Sequence, residues 1–149
     1  MTTYLALDIG DKRIGLALGN DRARLARPYR VIQRRSKRDD FARIRTVIET
    51  ESVDHLLIGL PLNMDGSEGP QARRVRNYTR HLLRAIDLPH TFVDERLSSF
   101  EADRLLREGQ SRRRGPNDDI AAAVFLQAYL DRIGTPSPPS SSPDPASQP

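Results

Sequence analysis

The sequence contains no cysteine and no tryptophan among its 149 residues. The absence of cysteine excludes a disulfide framework, a thiolate metal site and a cysteine nucleophile. Zinc sites of the finger type depend on thiolate ligands, so they are excluded as well. Any metal ion bound by this chain must therefore be held by oxygen or nitrogen ligands.

Aromatic residues are also scarce, with four phenylalanines and four tyrosines in the whole sequence. Stacking of bases on aromatic rings therefore cannot supply most of the affinity for a nucleic acid, and contacts to the phosphate backbone would have to dominate. The histidines, His55, His81 and His90, lack a mutual spacing typical of a metal site, and we assign none of them a ligand role.

Long apolar runs are missing too, because none reaches the length needed to cross a membrane. Strand-like sequence begins within three residues of Met1, which leaves no room for a secretory signal. We therefore expect a cytoplasmic protein without membrane contact.

Positive charge is in moderate excess and is almost entirely guanidinium. Lysine and arginine number 24 against 20 aspartates and glutamates, and the only lysines are Lys12 and Lys37. Guanidinium groups match phosphate oxygens in bidentate geometry, so the composition favours phosphate-bearing partners. A genome rich in G and C would produce the same arginine bias, so composition alone does not establish such a partner.

The chain is long enough for one ordinary hydrophobic core. The segment from Gly134 to Pro149 is so rich in proline and serine that we expect a disordered tail over residues 134–149. Residues 1–133 are predicted to form a single domain, since no internal linker or repeat divides them.

Hydrophobic periodicity predicts two antiparallel strands at the start of the chain, Tyr4 to Ile9 and Arg13 to Leu18. A helix over Asp39 to Glu51 then leads into a buried parallel strand over His55 to Leu60. This order predicts an α/β fold with a mixed sheet. Further predicted elements are a possible third strand at Val31 to Gln33, a helix opened by Pro70, a strand at Thr91 to Val93, a helix with an S-x-x-E capping box at Ser98 to Glu101, and a helix from Asn117 to near Arg132.

Three acidic segments, LALDIGDKRIG, FVDERLSS and NDDIAAAVFLQ, place carboxylates at strand ends or at a helix start. Asp8 interrupts an apolar strand, where burial without a partner would be costly. Together with one acid of the pair Asp94 and Glu95 and one of the pair Asp118 and Asp119, it predicts one metal site for Mg²⁺ or Mn²⁺, which prefer oxygen ligands. A pair of such ions can hydrolyse a phosphodiester without a side-chain nucleophile.

Each acid also has a purely structural explanation. Asp8 could accept backbone N–H bonds from the turn that follows it. Asp118 and its neighbour Asp119 stand in a first helical turn, where the helix dipole favours negative charge. Asp94 or Glu95 could pair with Arg96.

Basic residues form three candidate nucleic-acid contacts. One helix face carries arginines within about a quarter-turn, at roughly 100° per residue. It is either a solvated surface or a track for a phosphate backbone. The candidates are Arg73, Arg76, Arg80 and Arg84 on this face, Arg112, Arg113 and Arg114 in a glycine-flanked loop, and Lys12 and Arg13 in the turn after Asp8.

Four segments in order resemble the YqgF (RuvX) family of bacterial nucleases, namely LALDIGDKRIGLALG, IGLPLNMDGSEGP, VDERLSSFEA and DDIAAAVFLQAYLD. The resemblance runs from Tyr4 to about Leu130. It implies a ribonuclease H-like fold related to that of the RuvC Holliday junction resolvases. It also implies dependence on Mg²⁺ or Mn²⁺ and a role in processing the 5′ end of pre-16S rRNA.

By this resemblance the acidic triad falls on Asp8, Glu95 and Asp118, whereas the family does not reserve the position of Asp119 for an acid. Asp11 departs from the pattern, because the family often has threonine there. The resemblance therefore selects one carboxylate in each of the three acidic segments.

Three functions remain open at the level of sequence. The first is a metal-dependent nuclease acting on structured nucleic acid, either on pre-16S rRNA or, as a resolvase-type endonuclease, on branched DNA. The second is an actin-like ATPase or sugar kinase, because DIGDKRIG also looks like a phosphate-binding hairpin, although this chain is short for a second such hairpin. The third is a non-catalytic adaptor for nucleic acid or the ribosome. The choice between RNA and DNA and between monomer and homodimer is also open.

Overall fold

The computed structural model describes residues 1–95 and 118–134. The strands are β1 (Thr3–Ile9), β2 (Arg13–Asn20), β3 (Arg27–Gln33), β4 (His55–Leu60) and β5 (His90–Asp94). The helices are α1 (Lys37–Glu51), α2 (Pro70–Ala85) and α3 (Asp118–Gly134). Within the described ranges, no helix combines the length and the apolar character required of a membrane span.

Five strands form one mixed sheet in the order β3-β2-β1-β4-β5. β1 pairs antiparallel with β2 and parallel with β4, and β4 pairs parallel with β5. The predicted antiparallel opening and the alternation of helix and parallel strand that follows are confirmed. β3 begins at Arg27, so it is longer than the predicted strand at Val31 to Gln33, because its pairing with β2 extends to Leu18.

Alternation along the strands divides the core between the two faces of the sheet. One face carries the larger side chains, such as Leu5, Leu7 and Ile58, and α1 and α2 pack against it. The other face carries smaller ones, such as Ala6 and Ala17, and packs against α3. Because small residues shorten the distance between packed layers, α3 can lie close to the centre of the sheet.

The start of α1 is tied to α2 through a buried carboxylate. Asp40, which is 1% exposed, accepts hydrogen bonds from the Arg35 backbone N–H at 3.0 Å, from Arg43 at 2.8 Å and from the Tyr78 hydroxyl at 3.0 Å. Burial, followed by the negative charge of Asp40, raises the pKa of Tyr78 above its usual value. The hydroxyl therefore stays protonated and serves as a donor to Asp40.

Arg34 connects Asp40 to the turn that follows β1. Arg34 lies with its Nε 3.9 Å from Asp40 and its guanidinium carbon 4.4 Å from the centre of the Tyr78 ring. It donates from Nη1 to the carbonyl of Gly10 at 2.7 Å. The turn that follows β1 is therefore held by a side chain anchored in the α1–α2 side of the core.

Several predicted elements lie outside the described residues. These are the helix opened by Ser98 to Glu101, the cap at Asn117, the arginine loop at 112–114 and the tail from residue 135 onwards. The last helix extends to Gly134, two residues beyond its predicted end.

Replacing Asp40 tests the contribution of this network. Asp40→Ala leaves the Tyr78 hydroxyl and Arg43 without their shared acceptor, and breaking a buried ion pair costs about 3 kcal/mol of unfolding free energy. The neighbouring Asp39→Ala removes an exposed carboxylate and should cost less than about 1 kcal/mol. Denaturant unfolding of both variants makes the comparison, and equal losses would contradict the assigned role of Asp40.

Candidate active site

Asp8 occupies the centre of the sheet near the end of β1. Its cross-strand partner on β2 is Gly15. On the other side, Leu7 pairs with Ile58 of β4, so the next residue, Gly59, stands level with Asp8. By strand alternation Asp8 projects to the face covered by α3.

The two glycines beside Asp8 make room for the other two predicted acids. A Cβ atom on Gly15 would overlap the backbone of Asp118, at the start of α3. A Cβ atom on Gly59 would lie 2.7 Å from Glu95 Oε2 and 2.6 Å from a ring carbon of Phe125. The close approach of α3 and of Glu95 to Asp8 therefore requires residues without side chains at both positions.

Asp8 and Glu95 are partly buried carboxyl groups that lie close together. Burial, with the charge of Asp118 second, raises the pKa of Asp8 to about 6. Burial, with the charge of Asp8 second, raises the pKa of Glu95 to about 8. Because each negative charge disfavours ionisation of the other group, the pair retains a proton to higher pH than two separate carboxyl groups would.

Asp118 lies near this pair but is engaged elsewhere. Its Oδ2 accepts a hydrogen bond from Arg13 Nε at 3.0 Å, across the first residues of β2 and α3. Its negative charge nevertheless reaches Asp8, whose pKa it raises. Asp119, the next residue, is 8% exposed and accepts from the backbone N–H of Ile120.

The donor chemistry of these residues fits a hard divalent cation, because Asp8, Glu95 and Asp118 all offer carboxylate oxygens. Burial and mutual repulsion raise the pKa values of Asp8 and Glu95, and a bound cation would oppose that shift. Within residues 1–95 and 118–134, however, no group of three or more His, Cys, Asp or Glu side chains is arranged to hold a metal ion. The structure thus joins Asp8 to Glu95 and directs Asp118 towards Arg13.

Several arginines predicted to contact nucleic acid form contacts with other residues of the protein. On α2, Arg76 is bound to both oxygens of Glu68, with distances of 2.6 to 2.9 Å, and lies over Phe92 at 4.6 Å. Arg73 donates to the backbone carbonyl of Glu68 at 3.3 Å and Arg80 to Asn77 at 2.8 Å. Part of the positive charge of α2 is therefore engaged in contacts with Glu68, which lies in the segment before the helix.

The remaining candidates lie in three places. Arg84 is exposed in the last turn of α2, and Lys12 is exposed in the turn after β1. Arg13 is half-exposed and bonded to Asp118. Arg112, Arg113 and Arg114 lie outside the described residues.

Gly15 and Gly59 are the residues that sequence reasoning missed. A signal was present, since each is a single glycine inside a strand pattern, which is typical of a close approach by another segment. What approaches could not be known, because Asp118 and Glu95 are distant from these glycines in sequence.

Comparisons with known proteins place this geometry in context. A family model described as "RuvX: Holliday junction resolvase" matches residues 2–132. A protein of Anaeromyxobacter sp. (strain Fw109-5), named "Putative pre-16S rRNA nuclease", is 50% identical over 131 residues, covering 86% of this chain and 96% of that protein. A protein of Moorella thermoacetica with the same name is 42% identical over 133 residues, covering 87% and 95%.

Solved structures show similarity at the level of the fold. Thermus thermophilus RuvC in complex with a Holliday junction substrate matches with a TM-score of 0.62 at 13% identity, covering 93% of this chain and 99% of that one. Fowlpox virus resolvase with its junction DNA matches with a TM-score of 0.56 at 9% identity, covering 90% and 100%. The predicted α/β ribonuclease H-like fold with a mixed sheet is confirmed.

The requirement for glycine at position 15 is tested against a glycine on the same strand and face. Gly15→Ala forces the backbone of α3 away from Asp8, where the overlap is severe. At Gly19 the added methyl group would lie 2.9 Å from a Leu130 methyl, which can move, and 3.0 Å from the Leu25 carbonyl oxygen, which is a milder contact. We expect Gly15→Ala to lose about 2 kcal/mol more unfolding free energy than Gly19→Ala, as is typical of overpacking. Thermal unfolding of the two variants gives the difference, and equal losses would contradict the close approach.

The raised pKa values predict that stability without metal falls as the pH rises. Asp8 titrates at about 6 and Glu95 at about 8 in the folded state, against ordinary values of 3.8 and 4.5. The folded chain thus binds more protons than the unfolded chain across this window, so the stabilisation is complete below pH of about 4 and lost by about 8. Melting temperatures in chelator should fall by several degrees between pH 5 and 8, on the order of 1 kcal/mol or more.

The matched variants identify the groups responsible for this slope. Asp8→Asn combined with Glu95→Gln should flatten the dependence of melting temperature on pH, while Asp87→Asn, which removes an exposed carboxylate, should preserve it. A slope that survives the double substitution would show that other groups cause it.

Proposed function

This chain belongs to the RuvX family, as its four sequence segments predicted, and from that premise we propose that it is a nuclease whose Asp8, Glu95 and Asp118 hold divalent cations, Mg²⁺ or Mn²⁺. The proposed reaction is hydrolysis of phosphodiester bonds in structured nucleic acid. The observation that carries the proposal is the convergence of Asp8, Glu95 and the start of α3, which the glycines at positions 15 and 59 permit.

The cation would supply Lewis-acid polarisation of the phosphate and a more acidic bound water. The protein residues fix where this happens. Asp8 is held rigidly between two neighbouring strands, and Glu95 is held against Gly59. Loss of the shared proton leaves both groups as carboxylates, which are the oxygen ligands that Mg²⁺ and Mn²⁺ prefer.

Asp118 requires one further change before it can act as the third ligand. Its Oδ2 would have to be released by Arg13, or its other oxygen would have to serve. A substrate phosphate is a suitable competitor for Arg13, because guanidinium binds phosphate in bidentate geometry. In this proposal Arg13 contacts the substrate near the carboxylates, with Lys12 beside it in the turn.

The proposed substrate is pre-16S rRNA, which appears in the names of two relatives with 42% and 50% identity. Processing at its 5′ end is proposed because the four family-like segments imply that role. The alternative is a branched DNA junction, which the description of the family favours. Both substrates offer the same phosphodiester to the carboxylates, so the site itself does not choose between them. Membership of the RuvX family does not support the alternative interpretation of DIGDKRIG as the phosphate-binding hairpin of an ATPase.

A different class of function, a non-catalytic adaptor, is opposed by the partly buried acidic pair. An adaptor gains nothing from two carboxyl groups brought together at the end of a central strand, and their partial burial and repulsion cost stability. Family membership in a group of named nucleases argues in the same direction.

Cleavage assays with the purified protein test the proposal directly. With Mn²⁺ present, the parent should cut pre-16S rRNA in preference to a four-way DNA junction, and excess chelator should abolish cleavage. Asp8→Asn removes one ligand charge while conserving shape, so the rate should fall by at least about a hundredfold with nucleic-acid binding retained.

Asp21→Asn provides the control, since Asp21 lies beyond the opposite end of β1 and receives a hydrogen bond from the Thr2 backbone. Its cleavage rate should equal that of the parent. Full activity of Asp8→Asn, or of the parent in chelator, would exclude the proposed mechanism. Preference for the DNA junction would reverse the choice of substrate.

A further inference from the structure

The end of β1 borders a second feature, on the face of the sheet that is opposite to Asp8. A cavity of about 170 Å³ opens between the turn after β1 and helices α1 and α2. Its apolar floor is formed by Ile9, Val75 and the ring of Tyr78. Since Ile9 and Asp8 are adjacent on the strand, they face opposite sides, and the cavity is separate from the carboxylate pair.

The walls of this cavity are mainly positive. Among the described residues the lining holds the cations Arg34, Lys37 and Arg74 and the acid Asp11, and the charge of Arg34 is shared with Asp40. Side-chain amides add further hydrogen-bond donors. The amides belong to Gln71 and Asn77. A cavity lined by guanidinium, ammonium and amide groups is chemically suited to an oxyanion such as phosphate.

Arg34 is the fixed element of the lining. It is only 26% exposed, it donates to the Gly10 carbonyl at 2.7 Å, and it is stacked over Tyr78. Most of the conformational entropy of this arginine has therefore been lost on folding, which lowers the further cost of binding an anion. Lys37, at the start of α1, has no ion-pair partner in residues 1–95 or 118–134.

The one acid is weakly held at the rim. Asp11 lies 3.6 Å from Arg74 Nε, and the two side chains are 68% and 59% exposed. An ion pair of this exposure contributes little to stability, and an entering phosphate can replace Asp11 as the partner of Arg74.

The volume limits what the cavity can hold. About 170 Å³ equals the space of roughly six water molecules at about 30 Å³ each. Sites for whole drug-sized ligands measure about 300 to 1,000 Å³, so this one suits a phosphate group rather than a complete nucleotide.

We propose that this cavity binds a phosphate group of the nucleic-acid substrate other than the one that is cut, and thereby positions the strand across the end of β1. The inference rests on the proposed nuclease function. The turn from Gly10 to Lys12 lies between the cavity and the carboxylates, so one strand crossing this turn contacts both. The phosphate comes either from the backbone or from a 5′ terminus.

Titration of the isotopically labelled full-length protein with inorganic phosphate tests the cavity without nucleic acid, metal or catalysis. Saturable shifts of the Gly10 backbone amide and of the Gln71 side-chain amide are expected, with a dissociation constant on the order of millimolar. Lys37→Gln combined with Arg74→Gln should abolish saturation. Asp11→Asn should strengthen binding severalfold, because it removes the only negative charge of the lining.

A matched control removes two positive charges at the opposite end of the sheet, through Arg22→Gln combined with Arg132→Gln. It should bind phosphate as the parent does. Absence of saturable shifts in the parent, or equal weakening by both double variants, would overturn the proposal. The phosphate titration does not depend on cleavage. A negative result in the nuclease assay can therefore be told apart from a cavity that does not bind phosphate.

Binding and cleavage of nucleic acid then identify the source of the phosphate. The Lys37/Arg74 double variant should raise the Kd and the KM about tenfold, leave kcat near that of the parent, and reduce the salt slope of binding by about one. An equal loss with 5′-phosphate and 5′-hydroxyl substrates assigns a backbone phosphate, and a loss confined to the 5′-phosphate substrate assigns the terminus. An unchanged KM and salt slope would contradict a role in substrate positioning.

Discussion

The close approach of three chain segments at Asp8 is the constraint on which the rest of the structure depends. Gly15 and Gly59 flank Asp8 in the sheet, and the absence of their side chains admits the start of α3 on one side and Glu95 on the other. The alanines of α3 and of the facing strands continue this close packing along the helix. A core of larger residues on this face would separate the acids that the fold brings together.

Two aspartates, Asp40 fully buried and Asp8 partly buried, have very different surroundings. Asp40 receives hydrogen bonds from a backbone N–H, an arginine and a tyrosine, so its charge is compensated. Asp8 lies beside other carboxyl groups, and burial followed by the charge of Asp118 raises its pKa. The first arrangement stabilises the fold, whereas the second costs stability and is the kind of arrangement found at functional sites.

The end of β1 separates two opposite electrostatic environments by a single turn. The α3 face presents carboxyl groups, and the α1–α2 face presents the basic cavity that contains Arg34. Arg34 connects the two, since it reaches from the Asp40 network to the carbonyl of Gly10. In the proposed function, a polyanion placed over this turn meets cations on one side and carboxyl groups on the other. The local order of charge at this edge of the sheet is therefore more informative than the small net charge of +4.

The sequence by itself determined the element order and the mixed sheet, because periodicity and turn residues are local properties. Misplaced polarity pointed to three acidic segments, and the family resemblance selected Asp8, Glu95 and Asp118 within them as the predicted site. Tertiary structure alone decided which partners these acids meet. Asp118 pairs with Arg13, and Arg76 with Glu68, rather than both facing an open cleft. The roles of Gly15 and Gly59 and the basic cavity were likewise hidden, since they arise from segments far apart in the chain. Distances between such segments follow from packing, which no local pattern encodes.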